Sequence, residues 1–471
     1  MSTDNRQPTT DNRLLGRDEA LSRLEDALRS SPADATELVL LSDSTQLTRF
    51  ANSEIHQNVS QDNTRISVRV TVGRAAARLF SNSLAPADLR ATIDKAVSMA
   101  RLQSPNPLFQ PLPSPELGQT ALTNPPESYF ESTAQLSAAA RAEAVGRVID
   151  SAAAAEYAAY GSFSSSTSEL AVASSKGIRS YARFTTAYLK ALVEGPSGTG
   201  FADALGRDAA LIDPDSISAQ AVAKCKANHD QVEIEPGEYE AIFEPNAVAD
   251  MVRFPTIWGM GARQFLDGQS FLSGQIGQRV ASPAVSIWDD PTDPRCLPLA
   301  IDYEGLPAAR VDIVKDGIAL GPVYDSQTAQ ESGTKSTGHA GFPFGDFASQ
   351  PAADHIVMPV GESTLESMVA HVGLGVLVTR FHYTHCPDRK RVIATGTTRD
   401  GTFLIRDGEI AGALKNLRLE MGVLDLLSSL QETGAGKLCR DWWALNGMDT
   451  TNYFVPTMTF ARCKFTGVTT F

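Results

Sequence analysis

Arg65-Ile66-Ser67-Val68-Arg69-Val70-Thr71-Val72-Gly73 alternates apolar and polar side chains without a break. A strand turns successive side chains to opposite faces, so Ile66, Val68, Val70 and Val72 share one side and Ser67, Arg69 and Thr71 the other. That period of two predicts a half-buried strand, with Gly73 as a turn and Ala76–Phe80 as the return strand. Upstream, Glu37–Leu41 reads as another strand. A helix precedes it over Asp18–Leu28, with Leu21, Leu24 and Leu28 on one face, Asp18 as its cap and Pro32 beyond its end. Downstream, a helix opened by Pro86 carries Leu89, Ile93, Val97 and Ala100 at helical spacing. Residues 15–103 thus form an α+β unit. Residues 1–14 are polar and predict a disordered tail.

The same order recurs. Proline-rich residues 104–126 read as a linker. Residues 127–234 then give an alanine-rich helix (Ala134–Ala155), a serine-rich strand (Tyr157–Ser168) and a turn at Lys176-Gly177. Alternating Ser180–Val193, a glycine turn at Gly195–Gly200 and a helix opened by Pro214 follow. The segments LAPADLRAT and LIDPDSISA both place proline three residues ahead of a core-type residue, Leu89 or Ile217. We read this as an internal duplication. Glu235-Pro236-Gly237 marks the next boundary, and residues 235–471 turn β-rich. Lys315-Asp316-Gly317, Arg399-Asp400-Gly401 and Arg406-Asp407-Gly408 predict hairpins, because Asp-Gly accepts positive φ. Helices are expected over Pro245–Trp258, Ser363–His371 and Val423–Leu430. The fold class is α+β, a duplicated α/β N-terminal region followed by a β-rich C-terminal domain.

Forty-one Lys and Arg against 55 Asp and Glu give a net charge of -14. Duplex affinity comes from cations neutralising phosphates, so a nucleic-acid partner is not expected. No window approaches 18 apolar residues and the N-terminus lacks an apolar signal core, so neither a membrane nor export is expected and the compartment reads as cytoplasmic. Cys225, Cys296, Cys386, Cys439 and Cys463 are scattered without a CxxC pair, which argues against a disulfide framework or a cysteine zinc ribbon.

The zinc-protease signature needs two histidines on one helical face with a glutamate between them. None of His56, His229, His339, His355, His371, His382 or His385 belongs to an HExxH or HExxxH. His382-Tyr383-Thr384-His385-Cys386 offers two imidazoles and a thiol. In an unbroken strand, however, His382 and Cys386 share one side while His385 faces the other, unless the chain turns. Asp289, Asp290, Asp293, Asp302 and Glu304 could bind a hard cation, or could simply close turns. Ser162–Ser168 lacks the GxSxG elbow of a nucleophile. Gly195–Gly200 lacks the lysine of a phosphate loop and reads as a hairpin loop.

Several blocks of the C-terminal half resemble, in order and spacing, the TldD/PmbA (TldD/TldE) family. They are Gly268–Leu272 with Ile276-Gly277 and Val280-Ala281-Ser282; Ile287–Pro291; Asp302-Tyr303-Glu304-Gly305; Val314–Ile318; and Thr395–Ile405, continuing through Gly408–Ile410 and Lys415–Arg418. The resemblance implies a two-subunit zinc peptidase acting on unfolded or flexible peptides, in which the TldD-type chain carries HExxxH and a distant cysteine. Here the corresponding helix reads Phe243-Glu244-Pro245-Asn246-Ala247-Val248-Ala249-Asp250-Met251, without an imidazole, and Cys439 lies near the expected cysteine. The chain therefore looks like the PmbA/TldE-type subunit, with no cofactor of its own, zinc in a TldD-type paralogue, and a heterodimer or, without it, a homodimer. Asp302, Glu304, Arg399 and Asp400 are the candidate cleft residues. Two other readings are a hydrolase using His382, His385 and Cys386, or carboxylates, as metal ligands, and a regulatory protein under the older family label, modulator of DNA gyrase.

Overall fold

A computed structural model describes residues 14–344, 350–441 and 450–469. The expected tail, Leu14 apart, lies outside these residues. The first repeat runs α1 (Arg17–Arg29), β1 (Ala35–Ala51), β2 (Glu54–Val72), β3 (Ala75–Ser81) and α2 (Pro86–Leu102). The second, after a short α3 (Glu131–Ala134), runs α4 (Ala138–Ala154), β4 (Ala158–Ser174), β5 (Arg179–Glu194), β6 (Thr199–Gly206) and α5 (Pro214–Ala227). Both feed one antiparallel sheet in the order β3-β2-β1-β4-β5-β6, so the leading strands of the two repeats meet at its centre.

The four long helices of the two repeats, α1, α2, α4 and α5, cover one face of this sheet. Leu38, Leu40, Ile66, Val68 and Val70 pack beneath α1 and α2, and Leu189, Ala191 and Val193 beneath α4 and α5. The other face is not left to water. Val39, Leu41, Leu170 and Val172 pack on Leu299, Tyr303 and Leu306 of the C-terminal lobe. Arg69, read as the solvent side of an alternating strand, is covered by that lobe as well.

The C-terminal lobe begins with β7 (Gly237–Phe243), α6 (Pro245–Gly259) and α7 (Ala262–Leu266). Then come β8 (Ile287–Asp289), β9 (Val311–Lys315), β10 (Ile318–Ala319), α8 (Ser326–Glu331), β11 (His355–Val357) and α9 (Leu365–Ala370). Next are β12 (Leu374–Asp388), β13 (Ile393–Arg406), β14 (Glu409–Ala413), β15 (Leu417–Gly422), α10 (Val423–Ser428), β16 (Leu430–Arg440) and β17 (Asn452–Val468). β7, β12, β13, β15 and β17 pair in sequence, and β17 pairs back onto β7, closing a ring. Phe243 anchors its interior, edge-on to both Phe381 and Phe460. Among the described residues no helix is long and apolar enough to cross a membrane.

Three local readings need correction. Asp18 does not cap α1; the Glu169 carboxylate on β4 takes the Leu15 and Gly16 amides at 2.9 and 3.0 Å, so a distant strand supplies the cap. The alanine-rich helix is split, because the Ser137 hydroxyl accepts from the Ala140 amide and starts α4 anew. Arg399-Asp400-Gly401 is not a hairpin turn. β13 runs through it, and Asp400 and Gly401, at φ 58° and 131°, form a bulge opposite Thr379, between the pairs Val378–Thr402 and Arg380–Arg399. The other two Asp-Gly pairs do turn hairpins, with positive φ at both residues.

Candidate functional site

Helix α6 starts at Pro245, whose missing amide costs nothing in the first turn. Asn246 and Asp250, four residues apart, lie on the same side of a mostly apolar helix, with Arg253 one turn further on. The Asn246 side-chain amide donates to Asp203 Oδ1 on β6 at 2.9 Å, and the Tyr188 hydroxyl on β5 donates to Asp203 Oδ2 at 2.9 Å. The Lys437 ammonium, from β16, closes on the same carboxylate. Burial alone would raise the Asp203 pKa, but Lys437, Asn246 and Tyr188 together hold it below its ordinary value. Two residues on, Cys439 is 1% exposed and burial pushes its thiol pKa up. Burial also pushes Asp250 up to about 7, against the Phe381 amide that donates to it at 2.9 Å.

One ion pair further along the seam, Arg380 on β12 binds Asp400, and the Thr199 hydroxyl on β6 donates to Asp400 Oδ1 at 2.7 Å. The Arg380 guanidinium lies 4.6 Å from the Phe201 ring centroid. Beside this pair a cavity of about 140 Å³ is lined by His382, Tyr383, Thr397, Arg399 and Asn416. The turn in the HYTHC segment comes at Tyr383, at φ 54°. There the pairing slips, His382 opposing Thr397 and His385 opposing Thr395, which puts both imidazoles on one face. Cys386 goes the other way, against the core, where burial lifts its thiol to about 11. His382, His385 and Cys386 therefore do not converge as a three-ligand site, and no group of three such side chains among the described residues is placed to hold a metal.

Asp302 and Glu304 lie elsewhere, between the lobes. Asp302 accepts the amides of Glu304 and Leu306 at 2.9 Å and of Ala340 at 3.0 Å; burial and the Glu304 charge lift it to about 8. Glu304 meets Arg69 at 3.2 Å and accepts from the Ser326 amide and hydroxyl at 3.0 and 2.8 Å. Arg78 stands 3.6 Å from Glu37. Burial raises the Glu37 pKa although both arginines pull it down, and lifts Asp325 to about 6. The remaining acidic residues each have their own task. Asp289 accepts from His339 Nε2 at 2.8 Å, Asp290 holds the Thr292 amide at 3.0 Å, and Asp293 pairs with Arg295. Of the four cleft candidates, Asp302, Glu304 and Asp400 are buried, while Arg399 borders the open cavity.

Sequence reading passed over Asp203, Lys437, Tyr188 and Arg380. Asn246 and Asp250 carried a usable signal, two polar residues at i and i+4 on a mostly apolar helix. Asp203 and Lys437 are 234 positions apart and carried none.

Residues 36–100 match the family described as PmbA/TldA metallopeptidase domain 1, and residues 236–467 its PmbA/TldA metallopeptidase C-terminal domain. A metalloprotease from Methanothermobacter thermautotrophicus is 25% identical over 199 residues, 42% of this chain and 43% of that protein. A metalloprotease TldD homolog from Haemophilus influenzae is 29% identical over 153 residues, 32% of this chain and 31% of that one. The matches thus span less than half the length of these curated relatives. The crystal structure of TldE from Thermococcus kodakarensis superposes with a TM-score of 0.85 at 22% identity, over 94% of this chain and 100% of that one, which is a likeness of fold. With both family regions in the expected order, the chain belongs to the PmbA/TldD metallopeptidase family.

Proposed function

We propose that this chain is the zinc-free subunit of a two-chain metallopeptidase that acts on unfolded or flexible peptides, its catalytic zinc residing in a TldD-type paralogue. The observation that carries this reading is the Lys437 ammonium on Asp203 beside Asn246. Zinc takes deprotonated thiolate, imidazole or carboxylate donors, usually four in all. An ammonium offers only donors and no lone pair, and its charge opposes a dication. Here it occupies the one carboxylate that Asn246 and Tyr188 also bind, while burial keeps the neighbouring Cys439 thiol protonated at neutral pH. These residues do not fit zinc, and no catalytic step is assigned to them.

What this chain supplies is a wall. β6, β13, β16 and α6 line a seam whose polar groups are fixed by ion pairs and so pre-positioned for a neighbour. Exposed strand edges can take a peptide backbone by strand addition. Cleavage of an unstructured peptide tests the reading, with this chain alone and again after mixing with a zinc-bearing paralogue. We expect the mixture to cleave and the lone chain to be inert. Cleavage by the lone chain would favour a hydrolase, and capture of gyrase in place of the paralogue would favour the older regulatory label.

A further inference from the structure

We propose that Arg49, Ser162 and Lys190 form a carboxylate site that holds the free C-terminal end of a bound peptide; this rests on the peptide-handling reading above. Arg49 on β1 pairs with Ser162 on β4, and Ser162 pairs with Lys190 on β5. Three adjacent strands therefore place these side chains in one row. The row faces the C-terminal lobe, since Arg49 shares its side of β1 with Leu41 and Lys190 shares its side of β5 with Tyr188. Neighbouring strands lie about 4.8 Å apart, so the two long cations start roughly 10 Å from each other with the serine between them, and their heads can converge above it.

Both cations are exposed, whereas Ser162 is 8% exposed and forms the floor. Neither has an ion pair among the described residues. Arg49 reaches only the Gln57 side-chain oxygen at 3.4 Å. The cross-strand neighbour of Lys190 is Asp203, which Lys437, Asn246 and Tyr188 already engage. The surroundings add positive charge. The Lys190 pKa is drawn down by burial and then by Arg440, Arg380 and Arg49. A chain of net charge -14 thus places Arg49 and Lys190, neither of them ion-paired among the described residues, close to Arg380 and Arg440 beside the seam.

The same face offers something for the rest of a peptide. Ser164, Ser166 and Ser168 follow Ser162 at alternate positions of β4. Ser166 and Ser168 are buried, so Ser164 is the one of the three that continues the row toward solvent. In the other direction the row runs from Lys190 to Asp203, so a peptide end seated here lies next to α6 and β16. A planar carboxylate suits an arginine fork, an ammonium and a hydroxyl together.

The test uses the full chain and an unstructured peptide carrying an N-terminal fluorophore, made once as the free acid and once as the C-terminal amide, with binding followed by fluorescence anisotropy. The free acid is expected to bind about tenfold tighter than the amide, as charged hydrogen bonds of this kind contribute. Arg49→Met and Lys190→Met are expected to remove that difference, bringing free-acid binding down to no more than that of the amide. Inorganic phosphate should displace the advantage of the free acid and no more. Equal binding of acid and amide by the parent chain overturns the proposal, and that comparison needs no variant. Phosphate binding with no binding of either peptide also overturns it, assigning the row to a free anion. Because the lone chain is measured, the outcomes separate. Cleavage by the mixed subunits without carboxylate discrimination sinks this site alone, and discrimination without cleavage by any mixture sinks the subunit reading alone.

Discussion

Lys437 shows how much one side chain decides. Its ammonium is the counter-ion of a carboxylate that is 5% exposed on its side-chain atoms, so Lys437→Met leaves Asp203 buried with two neutral donors. We expect that variant to lose about 3 kcal/mol at pH 7, the scale of a broken buried pair, as measured by urea denaturation. The sign of its pH dependence follows. Asp203 has a depressed pKa in the folded chain, so its stabilisation is present above the ordinary aspartate value of about 3.9 and is lost as pH falls through the depressed one. The deficit of Lys437→Met should therefore shrink toward pH 4, where Asp203 is protonated in the variant. Little of this was legible in the sequence. No local window joins positions 203 and 437, and only the Asn246/Asp250 spacing on α6 marked the place. The HYTHC segment misled for a related reason, because its geometry depends on one positive φ at Tyr383 that its residue types do not announce.

At the scale of elements, glycines separate what turns from what merely packs. Gly200 lies in a glycine-rich stretch read as a hairpin loop, yet it already belongs to β6. A Cβ there would stand 2.1 Å from the Ala221 carbonyl and 2.3 Å from the Cys225 amide of α5. Gly200→Ala must push helix from strand and is expected to cost on the order of 2–4 kcal/mol. Gly146, inside α4, has nothing within 4 Å of such a Cβ, and Gly146→Ala should stabilise by about 0.5–1 kcal/mol through helix propensity alone. Thermal melts of the two variants should move in opposite directions. Alternation made the strands legible, and proline marked the starts of α2, α5 and α6. Caps and bulges were less legible, since the start of α1 is held by Glu169 and the Asp400 bulge by Arg380 and Thr199, all remote in sequence.

Across the whole molecule, the duplication could be read from two short proline segments, whereas the meeting of the repeats at β1 and β4 and the closing of the ring by β17 on β7 are long-range pairings that periodicity does not encode. The lobes are joined by an apolar patch and by a charge cluster of Arg69 and Arg78 with Glu37, Asp302, Glu304 and Asp325. Arg69→Met leaves four buried carboxylates facing one arginine. Burial already raises Glu37, Asp302 and Asp325, so their protonated forms dominate at lower pH and ionisation is what costs stability as pH rises through those values. The variant should therefore lose more stability at pH 8 than at pH 5, and urea denaturation at both values checks the sign. In the proposed function the Lys437–Asp203 ion pair closes the site between α6 and β16 to zinc. Zinc content of the purified lone chain, by elemental analysis after equilibration with zinc and desalting, tests it most directly. No stoichiometric metal is expected; one zinc per chain, lost on Cys439→Ala, would overturn the proposed role.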